Sequence, residues 1–182
     1  MGGHPKLAVA VGPHDHALGD PRAPLTLVQY GDYTCPYTQR AATNVALARR
    51  KLGKRVRYVF RHFPREDLNA ESALLAEAAH AAGAQGRFWE MHQRLLEADE
   101  GLEGVADLAE ELGLDVGRLL SELQARTYRS HVADERAGGL KSGVSSTPTF
   151  FVNGQRHVGS WEPMVLFRAL GGAPAMARSA HL

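Results

Sequence analysis

Residues 25–30, Leu-Thr-Leu-Val-Gln-Tyr, are apolar and β-branched with no helical stripe, and they predict a buried strand ending at Gly31-Asp32. A helical stretch follows from Pro36 to about Leu52, where Gly53 stops it. Residues 56–60, Val-Arg-Tyr-Val-Phe, predict a second strand. Strand, helix and strand in that order make a βαβ unit. Its strands should be parallel neighbours joined by a right-handed crossover.

From Asn69 to about Ser142 the pattern is helical throughout. Phe88, Trp89, Met91, His92, Leu95 and Leu96 fall on one face, as do Leu102, Val105, Leu108, Ala109 and Leu112. Gly113 ends that helix. Asp115 can cap the next, whose face is Val116, Leu119, Leu120 and Leu123. Strand character returns at residues 148–152, Pro-Thr-Phe-Phe-Val. Asn153-Gly154 and a further run at 155–158 follow. Asn-Gly between two such runs is a hairpin signal, because both turn residues need positive φ. A last helix is expected from Trp161 to Leu170, ended by Gly171-Gly172. Ahead of all this, residues 1–24 are broken by Pro5, Gly12-Pro13, Pro21 and Pro24. They read as loop, with residues 7–11 as a short strand.

The order is βαβ, a helical block, then ββα. This is an α/β fold in which a helical block at 67–144 interrupts one sheet domain made of 25–66 and 145–172. Residues 1–24 and 173–182 are a leading segment and a tail.

The 182 residues suit one domain with an insertion. The net charge of +1 argues against nucleic-acid binding, which wants clustered excess Lys and Arg. No apolar run reaches the ~20 residues of a membrane span. Residues 7–11 are too short for a signal-peptide core. The chain is read as soluble and cytoplasmic, with its oligomeric state open.

Cys35 is the only cysteine, so no intramolecular disulfide forms and a zinc site of several thiolates is excluded. Pro36 suits the first helical position, which makes Cys35 the N-cap. There the sulfur faces unpaired backbone N–H groups and the positive end of the helix dipole. Both favour the thiolate, the nucleophilic form. Thr38 is the third helical residue, on the same side of the first turn, placed to donate a hydrogen bond to that sulfur. Asp32, three residues ahead of Cys35, is a candidate proton relay.

The segment Asp32-Tyr33-Thr34-Cys35-Pro36-Tyr37 after an apolar strand resembles the active site of DsbA-like thiol–disulfide oxidoreductases. The likeness continues at 56–64 (Val-Arg-Tyr-Val-Phe-Arg-His-Phe-Pro), at 84–92 (Ala-Gln-Gly-Arg-Phe-Trp-Glu-Met-His), at 142–144, and at 147–154 (Thr-Pro-Thr-Phe-Phe-Val-Asn-Gly). It covers about residues 14–170. It is nearest to the subgroup that includes thioredoxin-like domains attached to sodium/proton antiporters. The resemblance implies a thioredoxin fold with a helical insertion. It further implies that the Thr147–Pro148 bond is cis and lies against the Cys35 sulfur.

In the family motif Cys-Pro-Xaa-Cys, this chain has Cys35, Pro36 and Tyr37, but Thr38 replaces the second cysteine. It therefore cannot store a disulfide between two cysteines or release a mixed disulfide by internal attack. A monothiol role is expected. Cys35 would form mixed disulfides, or a sulfenic acid with peroxide, and an external thiol would restore it. No bound cofactor is expected; glutathione or another small thiol is the co-substrate. The partners are protein thiols and disulfides or small thiols, with Thr147 and Pro148 binding an extended substrate. Two alternatives stand beside this: a redox-inactive peptide-binding module, and a glutathione-dependent transferase of the same fold.

No metal site is expected. His14-Asp15-His16 is one short cluster in a Pro/Gly loop, and His80, His92, His131 and His157 sit on different elements. His62 is expected to be a solvated loop residue. Arg61, Arg65, Glu66 and Asp67 are expected to meet water. Tyr37, Phe63 and Trp89 are candidate linings for an apolar cleft, with packing roles preferred.

Overall fold

The computed structural model describes residues 5–97 and 101–171. Its elements in chain order are β1 (His16–Leu18), β2 (Leu25–Gly31), α1 (Pro36–Leu52) and β3 (Val56–His62). The helices α2 (Ser72–Ala84), α3 (Phe88–Glu97), α4 (Val105–Glu111), α5 (Val116–Gln124) and α6 (Arg129–Lys141) follow. The chain then forms β4 (Thr149–Val152), β5 (Gln155–Arg156) and α7 (Pro163–Ala169). The sheet order is β1-β3-β2-β4-β5. β2 and β3 are parallel, as a βαβ unit requires, and every other pair is antiparallel.

Both faces of the sheet are covered, so β2 and β3 are buried on both sides and side-chain parity divides the core. Leu27, Val56, Tyr58 and Phe60 point into the larger cluster. It holds Ala41, Val45, Ala48 and Leu52 of α1, Leu166 of α7 and the apolar faces of α2–α5. Val28, Tyr30, Val59, Phe63 and Phe151 point the other way, against Val144 and the leading residues Leu7 and Val11. α6 closes this second face. Its Gly139 lets the helix backbone meet the rings, since a Cβ there would lie 2.7 Å from Phe63.

Local signals placed the hairpin correctly. Asn153 and Gly154 have φ of 48° and 79°, the double positive φ of a two-residue turn. The second strand is shorter than 155–158, because only Gln155 and Arg156 pair with β4. The last helix starts at Pro163 instead of Trp161, because Pro163 sets the first helical position and leaves Glu162 extended. The C-terminal expectations at 172–182 lie outside the described residues.

The leading segment differs more. Residues 7–11 form no strand, and only Lys6 makes an isolated bridge to Gln155. The carbonyls of Val9 and Ala10 accept from the Arg61 guanidinium at 2.8 and 3.0 Å in place of a ladder partner. The strand of this region is β1, at residues expected to be loop. It adds an antiparallel edge to β3.

Candidate active site

β2 delivers the chain to the site and α1 begins it. Gly31 ends the strand where there is no room for a side chain. A Cβ there would lie 2.6 Å from the Phe60 ring and 2.9 Å from the Thr38 methyl. Cys35 is the N-cap of α1, with φ −89° and ψ 114°, and Pro36 opens the helix as expected. The sulfur is half-buried.

The loop before β4 crosses over this sulfur. The Thr147–Pro148 bond is cis, and the Cys35 thiol donates to the Thr147 carbonyl oxygen at 3.3 Å. Residues 112 apart in sequence thus meet at one point. Thr147 and Pro148 are half-buried, and Pro36 and Tyr37 are exposed. A cleft of about 260 Å³ lined by Pro36, Gln39, Asn69 and Leu75 opens on one side. Another, of about 440 Å³, is lined by Pro148, Phe150, His157 and Trp161.

Thr38 is fully buried. Its Oγ1 does not cap the sulfur as expected; it accepts from the Asp32 N–H at 3.3 Å. Asp32 is also not aimed at Sγ. Its Oδ1 accepts from the Thr34 N–H and hydroxyl, both at 2.9 Å. Its Oδ2 accepts from the Arg65 N–H at 2.9 Å. Asp32 therefore ties the turn before the cysteine to the loop after β3. Arg65 continues the brace: its guanidinium forks onto Asp67 and donates to the Ser145 carbonyl at 3.2 Å.

The preferred packing roles hold for Tyr37 and Phe63, and no apolar lining assembles from the three rings. Tyr37 is 56% exposed under the Arg40 guanidinium, and Phe63 is buried on the opposite sheet face. Trp89 lines a separate cleft with Tyr58 and Arg49.

Of the charged run, Glu66 and Asp67 are exposed as expected and Arg65 is half-buried, but Arg61 and the neighbouring His62, the last two residues of β3, are not where the sequence put them. Arg61 is buried, with both nitrogens of its fork on Asp15 at 2.7 and 2.9 Å. His62 is 1% exposed instead of solvated. Its Nδ1 lies 2.7 Å from Glu135 Oε2, and its Nε2 lies 3.2 Å from the Tyr33 hydroxyl. The same hydroxyl lies 2.9 Å from His92 Nδ1. On the other side of Glu135, His80 Nε2 is 3.4 Å away, and His80 Nδ1 is 3.0 Å from His16 Nε2. Six residues dispersed in sequence thus form one hydrogen-bonded chain through Glu135, and Tyr33 belongs to the segment entering the active site.

Burial, reinforced by the neighbouring imidazoles, pushes His16 and His92 down to about 3. Burial lowers His62 as well, against the pull of Glu135. For Glu135, burial opposes ionisation, but attraction and hydrogen bonds from His62 and His80 outweigh it and hold the carboxyl well below its usual range. Ring N–H groups of His62 and His80 donating to the carboxylate, with the Tyr33 hydroxyl donating to His62 Nε2 and His16 donating to His80 Nδ1, satisfy every contact in the chain.

Against this geometry, the sequence matches the family described as Thioredoxin over residues 12–169. The chain belongs to the thioredoxin family. Within it the architecture is DsbA-like, with the helical block inserted between β3 and β4. It is 32% identical to a thioredoxin-like oxidoreductase from Silicibacter pomeroyi, covering 88% of this chain and 92% of that one with a TM-score of 0.78. It shares its fold with Wolbachia pipientis α-DsbA1, at 20% identity and a TM-score of 0.74 over 88% and 91% of the two chains. It is 44% identical over 94% of its length to a Na⁺/H⁺ antiporter, NhaA 1, of Salinispora arenicola. The chain spans only 27% of that antiporter. Among the described residues no helix is long and apolar enough to cross a membrane. In general kind the family is redox-active, and this member carries one cysteine where the motif has two.

Proposed function

We propose that the protein is a monothiol thiol–disulfide oxidoreductase. It acts through Cys35 on disulfides in extended peptide segments, with glutathione or another small thiol as co-substrate. The observation that carries this reading is the contact of Sγ with Thr147 O beside Pro148, at the start of a 17-residue helix. A nucleophile at a helix N-terminus and a backbone edge for an extended chain are thereby brought to one point.

In the first step the Cys35 thiolate attacks one sulfur of the substrate disulfide. The S–S bond breaks, one half stays bonded to Cys35, and the other leaves as a thiolate that takes a proton from water. In the second step a small-thiol thiolate attacks the mixed disulfide at the substrate sulfur, forming a new disulfide and returning the Cys35 thiolate. One disulfide is consumed and one is formed, so no external oxidant is needed.

Cys35→Ser should abolish exchange with a glutathionylated peptide while leaving thermal unfolding nearly unchanged. Thr38→Cys should change the product. The new thiol sits one turn along, in a fully buried site of similar volume. Mass spectrometry should then show glutathione leaving as a disulfide forms across the first turn, where the unsubstituted chain holds its adduct. An adduct equally long-lived in Thr38→Cys would contradict the proposed geometry.

A further inference from the structure

We propose that His62, His80 and Glu135 form a binding site for one divalent cation of the zinc class. Their ligand atoms all lie within 4.8 Å of one another. The spacings between Glu135 Oε2 and the two ring nitrogens are 2.7 and 3.4 Å. Ligands of a tetrahedral zinc ion lie ~3.3 Å apart, given metal–ligand distances of ~2.0–2.2 Å. Small shifts of side chains already in contact would seat the ion.

The donor set selects the metal. Two imidazoles and one carboxylate form the three-ligand set of an open zinc site. Magnesium and calcium prefer oxygen alone. Charge selects a cation in the first place. Glu135 is 8% exposed, and its ion-pair partners among the described residues are His62, His80 and His131, with no Arg or Lys. A buried carboxylate without a fixed positive partner gains from a bound cation.

The surroundings supply an independent sign. A metal-bound imidazole is normally held by a hydrogen bond at its other nitrogen. His62 has this at Nε2, from Tyr33, and His80 has it at Nδ1, from His16. In the empty site the inner nitrogens carry the protons and donate to Glu135. With the ion bound, each proton moves to the outer nitrogen, which then donates to Tyr33 or His16. Only tautomers change; no ring need turn over, and the total protonation stays the same. The His62 backbone N–H keeps its 3.0 Å bond to Glu135 Oε2.

A cleft of about 550 Å³ lined by His14, Asp15, Arg61, His131 and Asp134 reaches Glu135, the one ligand of the three that faces it. His131, 41% exposed with Nε2 4.0 Å from Glu135 Oε1, is a further donor on the cleft wall, and a water completes the set if it stays out. Cys35 supplies no ligand.

The test uses the full chain, stripped with a chelator, and Zn²⁺ titrated against a chromophoric competitor. One ion should bind per chain, with equal affinity in Cys35→Ser. Affinity should fall at least 100-fold in Glu135→Gln and His80→Gln. Loss of binding in Cys35→Ser, or undiminished binding in Glu135→Gln, would overturn the proposal. A readout on the unsubstituted chain does not depend on the variants folding. Imidazole ¹⁵N–¹H spectra should show the His62 proton on Nδ1 without Zn²⁺ and on Nε2 with one equivalent. Unchanged His62 and His80 resonances would also overturn it.

Discussion

Asp15→Ala is expected to destabilise the protein by ~3–5 kcal/mol, the cost of leaving a buried charge without its partner. Arg61 and Asp15 are 4% and 10% exposed and meet at 2.7 Å. The guanidinium is fixed on every side. Besides Asp15 it donates to Val9 O, Ala10 O and the Tyr30 hydroxyl, so it cannot swing out to water without unpinning the leading segment. Asp15 also accepts from the Gly12 N–H at 2.7 Å. Urea unfolding at neutral pH should show a lower midpoint with little change in slope. A companion change, Arg61→Met with Asp15→Leu, should recover much of the loss, because it removes both charges together. A loss below ~1 kcal/mol in Asp15→Ala would mean that the pair behaves as a surface ion pair.

Acid should unfold the protein early. His92 and His16 titrate near 6.5 when unfolded and near 3 when folded. Below pH 6.5 the unfolded chain therefore binds protons that the folded chain refuses. Stability falls as pH falls, by ~1.4 kcal/mol per pH unit for each histidine, until pH reaches about 3. At pH 5 the two together cost about 4 kcal/mol. Glu135 has a lowered folded value, so its contribution is lost in the same direction, below the ordinary carboxylate range. His92 is the cleanest probe. It packs against the rings of Phe60, Phe88, Trp89 and Tyr33, and the titratable groups that act on it are His62, His16 and Arg49. None of these is a carboxylate that would favour its cation. His92→Phe should remove about one proton from the slope of stability against pH between 6 and 4. Stability that stays flat from pH 7 to 5 would contradict the assignment of neutral buried imidazoles.

The parts of the fold written in short stretches of sequence were legible there. Pro36 after Cys35 placed the helix start, and Asn153-Gly154 placed the hairpin, because each acts within a few residues. β1 was not legible. Three residues of an edge strand carry too little alternation to stand out from a loop. Arg61 and His62 misled for a different reason, while Glu66 and Asp67 of the same stretch are exposed as read. A basic residue between apolar ones reads as a break, yet the period of two already put Arg61 with Val59 and Phe63 on one face, and His62 with Phe60 on the other. The alanine run of α2 held a second unread signal. A helix so apolar is buried nearly all round, which carries Glu77 and His80 inside with it. That His16, His62, His80 and Glu135 meet is a property of the tertiary packing alone, since they come from β1, β3, α2 and α6. The same holds for Sγ and Thr147 O. There the resemblance to a family, more than any periodicity, pointed to the contact.

The central claim is that the fold activates Cys35 for exchange. The most direct measurement is the rate at which Cys35 forms a mixed disulfide with oxidised glutathione at neutral pH, in the folded chain and in the same chain unfolded in urea. The sulfur and its neighbours in sequence are identical in the two states, so the ratio isolates what the helix start and the Thr147–Pro148 loop contribute. The account predicts a folded rate at least ten times the unfolded one. A folded rate equal to or below the unfolded one would contradict it. The cleft would then be that of a peptide-binding module in which Cys35 is an ordinary thiol.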